Sequence, residues 1–441
     1  MINPLYNLIW VILIIISSGF LFSSKYFDFL DKKNNYNRES NIDGIRFLLA
    51  SFVAMHHFIF SYNYFSGKGW SISKHNIFND YLGVFSVCVF FLISGYLFVS
   101  CCNNNDIKWK SFYIKRFTRI FPMITFQSLV CIAILLILTK QTINQIIDID
   151  NIYSIFYWLN GGISALRPDI FGIHQSWVTM GGVIWTLQWE WMLYFSLPFI
   201  CVLMGKTNKY NILLASLFLF FYVFQNYNYS SKSFISLFIS IFTISFLLPF
   251  LMSLFNIKKY NTVTLTLIIL LILSSYFSHY IYKDSVICAS FIVGALCNQY
   301  KSFFRPLISK IPSFILNILL IISFLIPFVI FHKKSYLSFS FVFSCSVFFI
   351  ILLSGASLFN FLNLKGVIRL GNASFSLYLL HSIGWFIINK TLLHFNILHI
   401  SYIFYFCSTL MWFFICYLSL LTFNKIEIPW IGYGQALGRS L

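Results

Sequence analysis

The sequence predicts an all-α protein, a polytopic transmembrane helical bundle of about 10–13 spans. Three observations carry that prediction. Of the 441 residues, 59% are hydrophobic and only 10% charged, and the mean hydropathy is +0.81. No soluble domain buries that much apolar surface. The apolar residues fall in runs of helical length, about 20 residues, which favours helices over a barrel. The 30 Lys and Arg residues sit mostly in short loops between those runs. The net charge of +18 therefore reads as membrane topology and not as nucleic-acid binding.

Residues 5–22 form the first apolar run; no basic segment precedes it and no small-residue cleavage site is obvious, so it reads as an uncleaved extra span. Residues 23–42 are polar and basic. Further spans are expected at 43–62, 81–99, 121–140, 183–204, 211–226, 234–254, 263–282, 285–300, 312–331, 336–358, 371–389 and 400–423. The organisation is then 1–40, an extra span and a basic linker; 41–423, one membrane domain; and 424–441, a tail. The largest segment between spans is 141–182. No internal repeat and no CxxC pair is visible. Most of the ten cysteines lie in apolar runs and read as small core residues, and no metal-ligand spacing is present.

Alternate loops differ in basic charge. One set holds 20 Lys and Arg residues, including Lys108, Arg119, Lys301 and Arg369; the other holds 9, including Lys68, Arg167 and Lys390. The positive-inside rule puts the first set in the cytoplasm, with the N-terminus outside and the C-terminus cytoplasmic. Residues 141–182 are then outside.

Charge inside a span is costly and usually functional. Arg46 and His57 lie in NIDGIRFLLASFVAMHHFIF, eleven residues apart. That spacing is about 20° from whole turns and about 16 Å along the axis, so both side chains share one helix face, whereas His56 points about 100° away. The plainer reading is an Arg46 that snorkels to headgroups and a His57 bonded in the core. Glu190 is the one acid well inside a span. Counted from Val183 it lies about 10 Å below the outer face, and His57, counted from Asp43, about 9 Å below it. The two are expected at one depth, although a carboxylate that merely bonds a neighbouring helix would look the same. Arg116 and Arg119, in KRFTRIFP, stand i and i+3 on one face and suit phosphate oxygens; ordinary positive-inside charge also explains them. Ser94-Gly95 lets another backbone approach, by default for packing. In RLGNASFSLYLLH, Ser374, Ser376, Tyr378 and His381 place hydroxyls and an imidazole within a span, catalytic or structural.

In order along the chain, NIDGIRFLLASFVAMHH, GVFSVCVFFLISGYLF, KRFTRIFP, WTLQWEWMLYFSLP and GNASFSLYLLH resemble the motif blocks of the integral-membrane acyltransferase family 3, the O-acyltransferases of bacterial surface polysaccharides. Phe85 or Ser86 stands where the family commonly has an acid or small polar residue, and the span 5–22 precedes the family's usual first helix. No appended hydrolase-like domain follows, so a stand-alone type is expected.

The resemblance implies a membrane-bound O-acyltransferase of the bacterial inner membrane. It implies acetyl-CoA as acyl donor from the cytoplasm, no metal, and a surface polysaccharide or its lipid-linked precursor, such as a lipopolysaccharide or exopolysaccharide, as acceptor. On that reading Arg46, Arg116 and Arg119 hold the coenzyme A phosphates. His57 is the general base, with Glu190 orienting it. Ser94, Tyr378 and His381 are left for the oxyanion or the acceptor. Two rivals use the same residues: a proton-coupled transporter of a glycan or small metabolite, which would relay protons through His57 and Glu190 but gives the arginines no role, and a non-catalytic scaffold for glycan assembly.

Overall fold

The computed structural model describes residues 3–31, 40–72, 76–98, 107–139, 148–203, 213, 282–331 and 338–440. The described residues are helical, with no strand beyond one isolated bridge between Ile170 and Ile173. In chain order the helices are α1 (Pro4–Leu21), α2 (Ser40–Asn63), α3 (Ile77–Phe98), α4 (Trp109–Thr139), α5 (Ile149–Trp158), α6 (Ile184–Leu203), α7 (Tyr282–Ile308), α8 (Ser313–Phe331), α9 (Phe339–Leu353), α10 (Lys365–Asn372), α11 (Ser374–His394), α12 (Ser401–Thr422) and α13 (Ile428–Arg439). Among the described residues, six stretches are long and apolar enough to cross a membrane: Pro4–Leu21, Asn41–Lys68, Ile77–Phe98, Trp109–Thr139, Ser313–Phe331 and Ser401–Arg439. The chain is a multi-pass membrane protein. The spans expected at 211–226, 234–254 and 263–282 lie almost wholly outside the described residues.

Helices α2 and α3 form the centre. Phe47, Leu49, Met55 and Phe58 of α2 and Tyr81, Phe85 and Leu92 of α3 are fully or almost fully buried. The α3–α7 pair is close because Gly95 lacks a side chain: a Cβ there would lie 2.0 Å from the Phe291 carbonyl oxygen. The backbone approach expected at Ser94-Gly95 is therefore present, with α7 as the partner. Helix α11 packs along α2, tied by Trp385 Nε1–H to the Ala54 carbonyl at 2.9 Å and by Ser61 Oγ–H to the Trp385 carbonyl at 3.2 Å. Helix α1 lies at the side, bonded through Trp10 Nε1–H to Thr409 Oγ1 at 2.8 Å and through its Ser18 Oγ, which accepts from Trp412 Nε1–H at 2.8 Å.

Two segments depart from the simple span pattern. Residue 424 does not begin a free tail. The chain passes through a π-helical turn, Phe423–Glu427, into α13, which lies along α4 with Gly434 and Gly438 buried. The second is the stretch between α5 and α6. It folds back into the bundle through left-handed positions at Phe171, Gln175 and Gly181, with Ile170, Phe171, Val178 and Met180 buried. Irregular backbone at such depth is tolerated where protein or a cavity surrounds it.

At one end of the bundle, the turn after α1 is clamped to α10. Arg369 donates Nε–H and Nη2–H to the two oxygens of Asp31 at 2.7 and 2.6 Å, and Lys365 reaches Asp28 at 2.6 Å. The bond from Arg369 holds the Asp31 carboxyl below the usual carboxylate range, and the bond from Lys365 does the same for Asp28.

Candidate active site

The re-entrant stretch resets the depth of everything after it. Its 3₁₀ turn, Ser176–Met180, ends at Gly181, φ 62°, where a Cβ would lie 2.7 Å from Ser382 Cβ and 3.9 Å from His57 Cγ. Only glycine combines that backbone angle with that proximity. Helix α6 therefore starts beside His57. Glu190, six residues into α6, lies about 9 Å further along. The expectation that Glu190 and His57 share one depth is corrected on this ground. Glu190 accepts a hydrogen bond from the Tyr194 hydroxyl one turn away, and His57 bonds elsewhere.

His57 meets His381. Nδ1 of His57 and Nε2 of His381 are 2.9 Å apart, with ring centroids 5.2 Å apart and planes within 8°. The hydrogen-bond network assigns the tautomers. His381 Nδ1 lies 3.3 Å from the Leu377 carbonyl, which can only accept, so Nδ1 carries the proton. In the neutral ring Nε2 is then an acceptor, and His57 must donate Nδ1–H to it. That leaves the His57 Nε2 lone pair unprotonated. His381 is fully buried, while His57 keeps partial exposure beside Trp70, its ring centroid 6.1 Å away. His56 is turned differently. Its Nδ1–H donates to the Asn79 carbonyl at 3.0 Å, and Asp80 is 3.8 Å away.

The second part of the site is a cleft of about 110 Å³ lined by Arg46, Ser94, Arg119, Glu190 and Tyr378, with Phe90, Phe91, Leu97 and Phe98 among its apolar walls. Five of the eight residues singled out from sequence thus share one cleft, and two more, His57 and His381, form the dyad. Both Arg46 and His57 face α11: Arg46 across the cleft from Ser374, Phe375 and Tyr378, and His57 against His381. Tyr378 joins the two parts. It lines the cleft, its hydroxyl is 2.7 Å from Thr186 Oγ1, and its ring centroid is 6.1 Å from that of His381.

Arg116 is the exception. Its guanidinium stacks over Phe98, Phe112 and Tyr194, with centroid distances of 4.8, 5.4 and 5.8 Å, and it does not line the cleft. Among the described residues its buried Nε–H has no partner.

Sequence reading missed Glu427 and Thr186. Glu427 is buried in the π turn, accepts from the Ser376 hydroxyl, and lies within electrostatic range of Arg119 and Arg46. The signal was the apolar pattern of IEIPWIG, residues 426–432, which carries the helix on past Thr422. With Asp43 4.0 Å from Arg46, the cleft's positive charge is largely matched by acids. Its volume is below the roughly 300–1,000 Å³ of ordinary small-molecule sites. Among the described residues, no three His, Cys, Asp or Glu side chains gather in a metal-holding group.

A family model described as an acyltransferase domain matches residues 39–418. No curated protein and no solved structure matches the chain.

Proposed function

Because this chain belongs to the acyltransferase 3 family, we propose that it transfers an acetyl group from acetyl-CoA, taken from the cytoplasm, to a sugar hydroxyl of a surface polysaccharide or its lipid-linked precursor on the outer side of a bacterial inner membrane. The observation that carries this reading is the pairing of a free His57 Nε2 with a cleft that ends at Tyr378 beside the dyad. The cleft opens among Arg46 and Arg119, in the half of the bundle that the basic loops assign to the cytoplasm. The pantetheine arm occupies it. Arg46 and Arg119 serve the arm's carbonyls and the nearer phosphate, and Arg116 braces Tyr194 from behind.

The chemistry follows from the tautomers. His57 Nε2 takes the proton of the acceptor hydroxyl as that oxygen attacks the thioester carbonyl carbon. His381 Nε2 accepts the His57 Nδ1–H throughout and keeps the imidazolium oriented, the role an acid plays in a hydrolase triad. The carbonyl C=O becomes an oxyanion, for which the Tyr378 hydroxyl, turned from its bonds with Thr186 and the Val183 carbonyl, is the donor. Collapse expels the coenzyme A thiolate, which takes the proton from His57. The products are an O-acetyl ester and free thiol, and the dyad is back in its starting state. Glu190 stays on the donor side, bonded to Tyr194.

The test uses purified full-length protein in lipid nanodiscs, acetyl-CoA labelled in the acetyl group, and glycans from cells that lack the protein. Label appearing on the glycan, absent with His57→Ala at equal protein, supports the reading. Label passing to no saccharide while acetyl-CoA binds normally overturns it.

A further inference from the structure

A second cavity lies on the side of the dyad away from the arginine cleft. It has a volume of about 420 Å³, within the ordinary range of small-molecule sites. Three elements that carry the dyad also build this cavity. Tyr64 and Phe65 follow His57 on the continuation of α2, Phe386 follows His381 on α11, and Ser176 and Thr179 belong to the turn that delivers Gly181 to His57. Tyr64 is about 10 Å and Phe386 about 7.5 Å beyond the respective histidine at 1.5 Å per residue. Trp70 bridges the gap, with its centroid 6.1 Å from His57, 6.3 Å from Tyr64 and 5.6 Å from Trp177.

Among the described residues, the lining combines aromatic rings with the aliphatic Leu135, Leu138 and Ile173 and the polar Gln175, Ser176 and Thr179, and Lys390 is the one charged residue in it. Aromatic faces match the C–H faces of a sugar ring, and hydroxyl and amide groups match its rim. The offset from His57 is too long for the sugar that reacts. It is the distance at which that sugar's neighbour would lie.

We propose that this cavity, walled by Tyr64 and Gln175, binds the sugar unit next to the one acylated and so holds the glycan acceptor in register with His57. The proposal rests on the acyl-transfer reading above. Its test is nonetheless a binding measurement. Glycan fragments released from the envelope of cells lacking the protein are labelled at the reducing end, and their binding to the protein in nanodiscs is followed by fluorescence anisotropy. Unlabelled monosaccharides from complete hydrolysis of the same material are the competitors. Binding should survive His57→Ala, resist the monosaccharides, and weaken at least tenfold in Tyr64→Leu and in Gln175→Asn. Gln175→Asn shortens the side chain at a left-handed position that asparagine tolerates. Acetyl-CoA binding should be unchanged in both variants. Competition by monosaccharides at the same sugar concentration, or full binding in both variants, overturns the proposal. Fragment binding that follows the expected pattern in a protein that transfers no acetyl group would keep the site and overturn the acylation reading.

Discussion

Replacing His381 by phenylalanine tests the tautomer argument directly. A phenyl ring, somewhat larger than the imidazole, takes the place that lies edge to edge and nearly coplanar with His57, and it offers no acceptor nitrogen. His57 Nδ1–H would then face a ring edge. An unsatisfied buried donor costs about 1–3 kcal/mol, equivalent to about 5- to 150-fold in rate if the whole penalty falls on the reactive arrangement. The ring can escape that penalty by moving its proton to Nε2, but this removes the lone pair that takes the acceptor's proton, so either outcome slows the same step. We expect His381→Phe to lower kcat by about 5- to 150-fold with the acetyl-CoA KM unchanged. His381→Gln should recover part of the loss, because an amide oxygen can accept the bond. The assay is initial-rate transfer of labelled acetyl to glycan in nanodiscs, with protein matched by size-exclusion profile. An unchanged kcat in His381→Phe, or a loss confined to KM, refutes the dyad.

Other outcomes follow from the same geometry. Arg119→Ala should raise the acetyl-CoA KM about 10- to 150-fold, the worth of a charge-assisted hydrogen bond of roughly 1.5–3 kcal/mol, and Arg119→Lys should restore only part of it; an unchanged KM removes Arg119 from the donor site. His56→Ala should keep most of the activity and show its effect in thermal unfolding, since His56 spends its proton on Asn79; a dead His56→Ala with an active His57→Ala would reverse the assignment. Glu427→Gln keeps an acceptor for Ser376 and removes the charge near Arg46 and Arg119, so the acetyl-CoA KM should fall, up to about tenfold for roughly 1.4 kcal/mol of relieved competition; a rise would mean that the acid positions the arginines. The Asp31 carboxyl is held below its ordinary value when folded, so its contribution is full above about pH 4 and fades as pH falls through the folded value. Asp31→Asn should cost about 1 kcal/mol or less at neutral pH, the pair being partly solvated, and the deficit should shrink in acid when melting is followed in detergent.

What was legible in the sequence divides by range. The helical class followed from the length of the apolar runs, and the common face of Arg46 and His57 followed from spacing within one helix. Both are local properties. The depth of Glu190 was not local. It depended on a loop that folds inward through left-handed positions at Phe171 and Gln175, where side chains give no hydropathy signal. The His57–His381 bond joins positions far apart in the chain, and each histidine alone had an equally good structural reading. Glu427 was hidden because the basic and polar residues after Phe423 suggested a tail, when the helix in fact continues through a π turn. Such turns often mark functional positions, and here one brings an acid to two arginines.

Two helices that carry the site, α6 and α11, are not among the most hydrophobic ones, and neither is as apolar as α1 and α8. Yet α11 is buried along nearly its whole first half, whereas only 28% of the most apolar window of α8 is buried. Lipid rewards apolar surface on the outside of the bundle and penalises polar groups there, so hydroxyls, imidazoles and carboxylates collect on the helices that never meet lipid. A helix of low hydropathy such as α11 is therefore one that lies inside the bundle, beside the more apolar and equally buried α2 and α3. The argument has a measurable consequence. Leucine replacements at the exposed α8 positions Ile322 and Val329 should leave folding and transfer unchanged. A leucine at the buried α11 positions Ser376 or Ser382, which adds bulk and strands a polar partner, should not be tolerated. Equal tolerance on the two helices would mean that α11 is not the wall on which the reaction path is built.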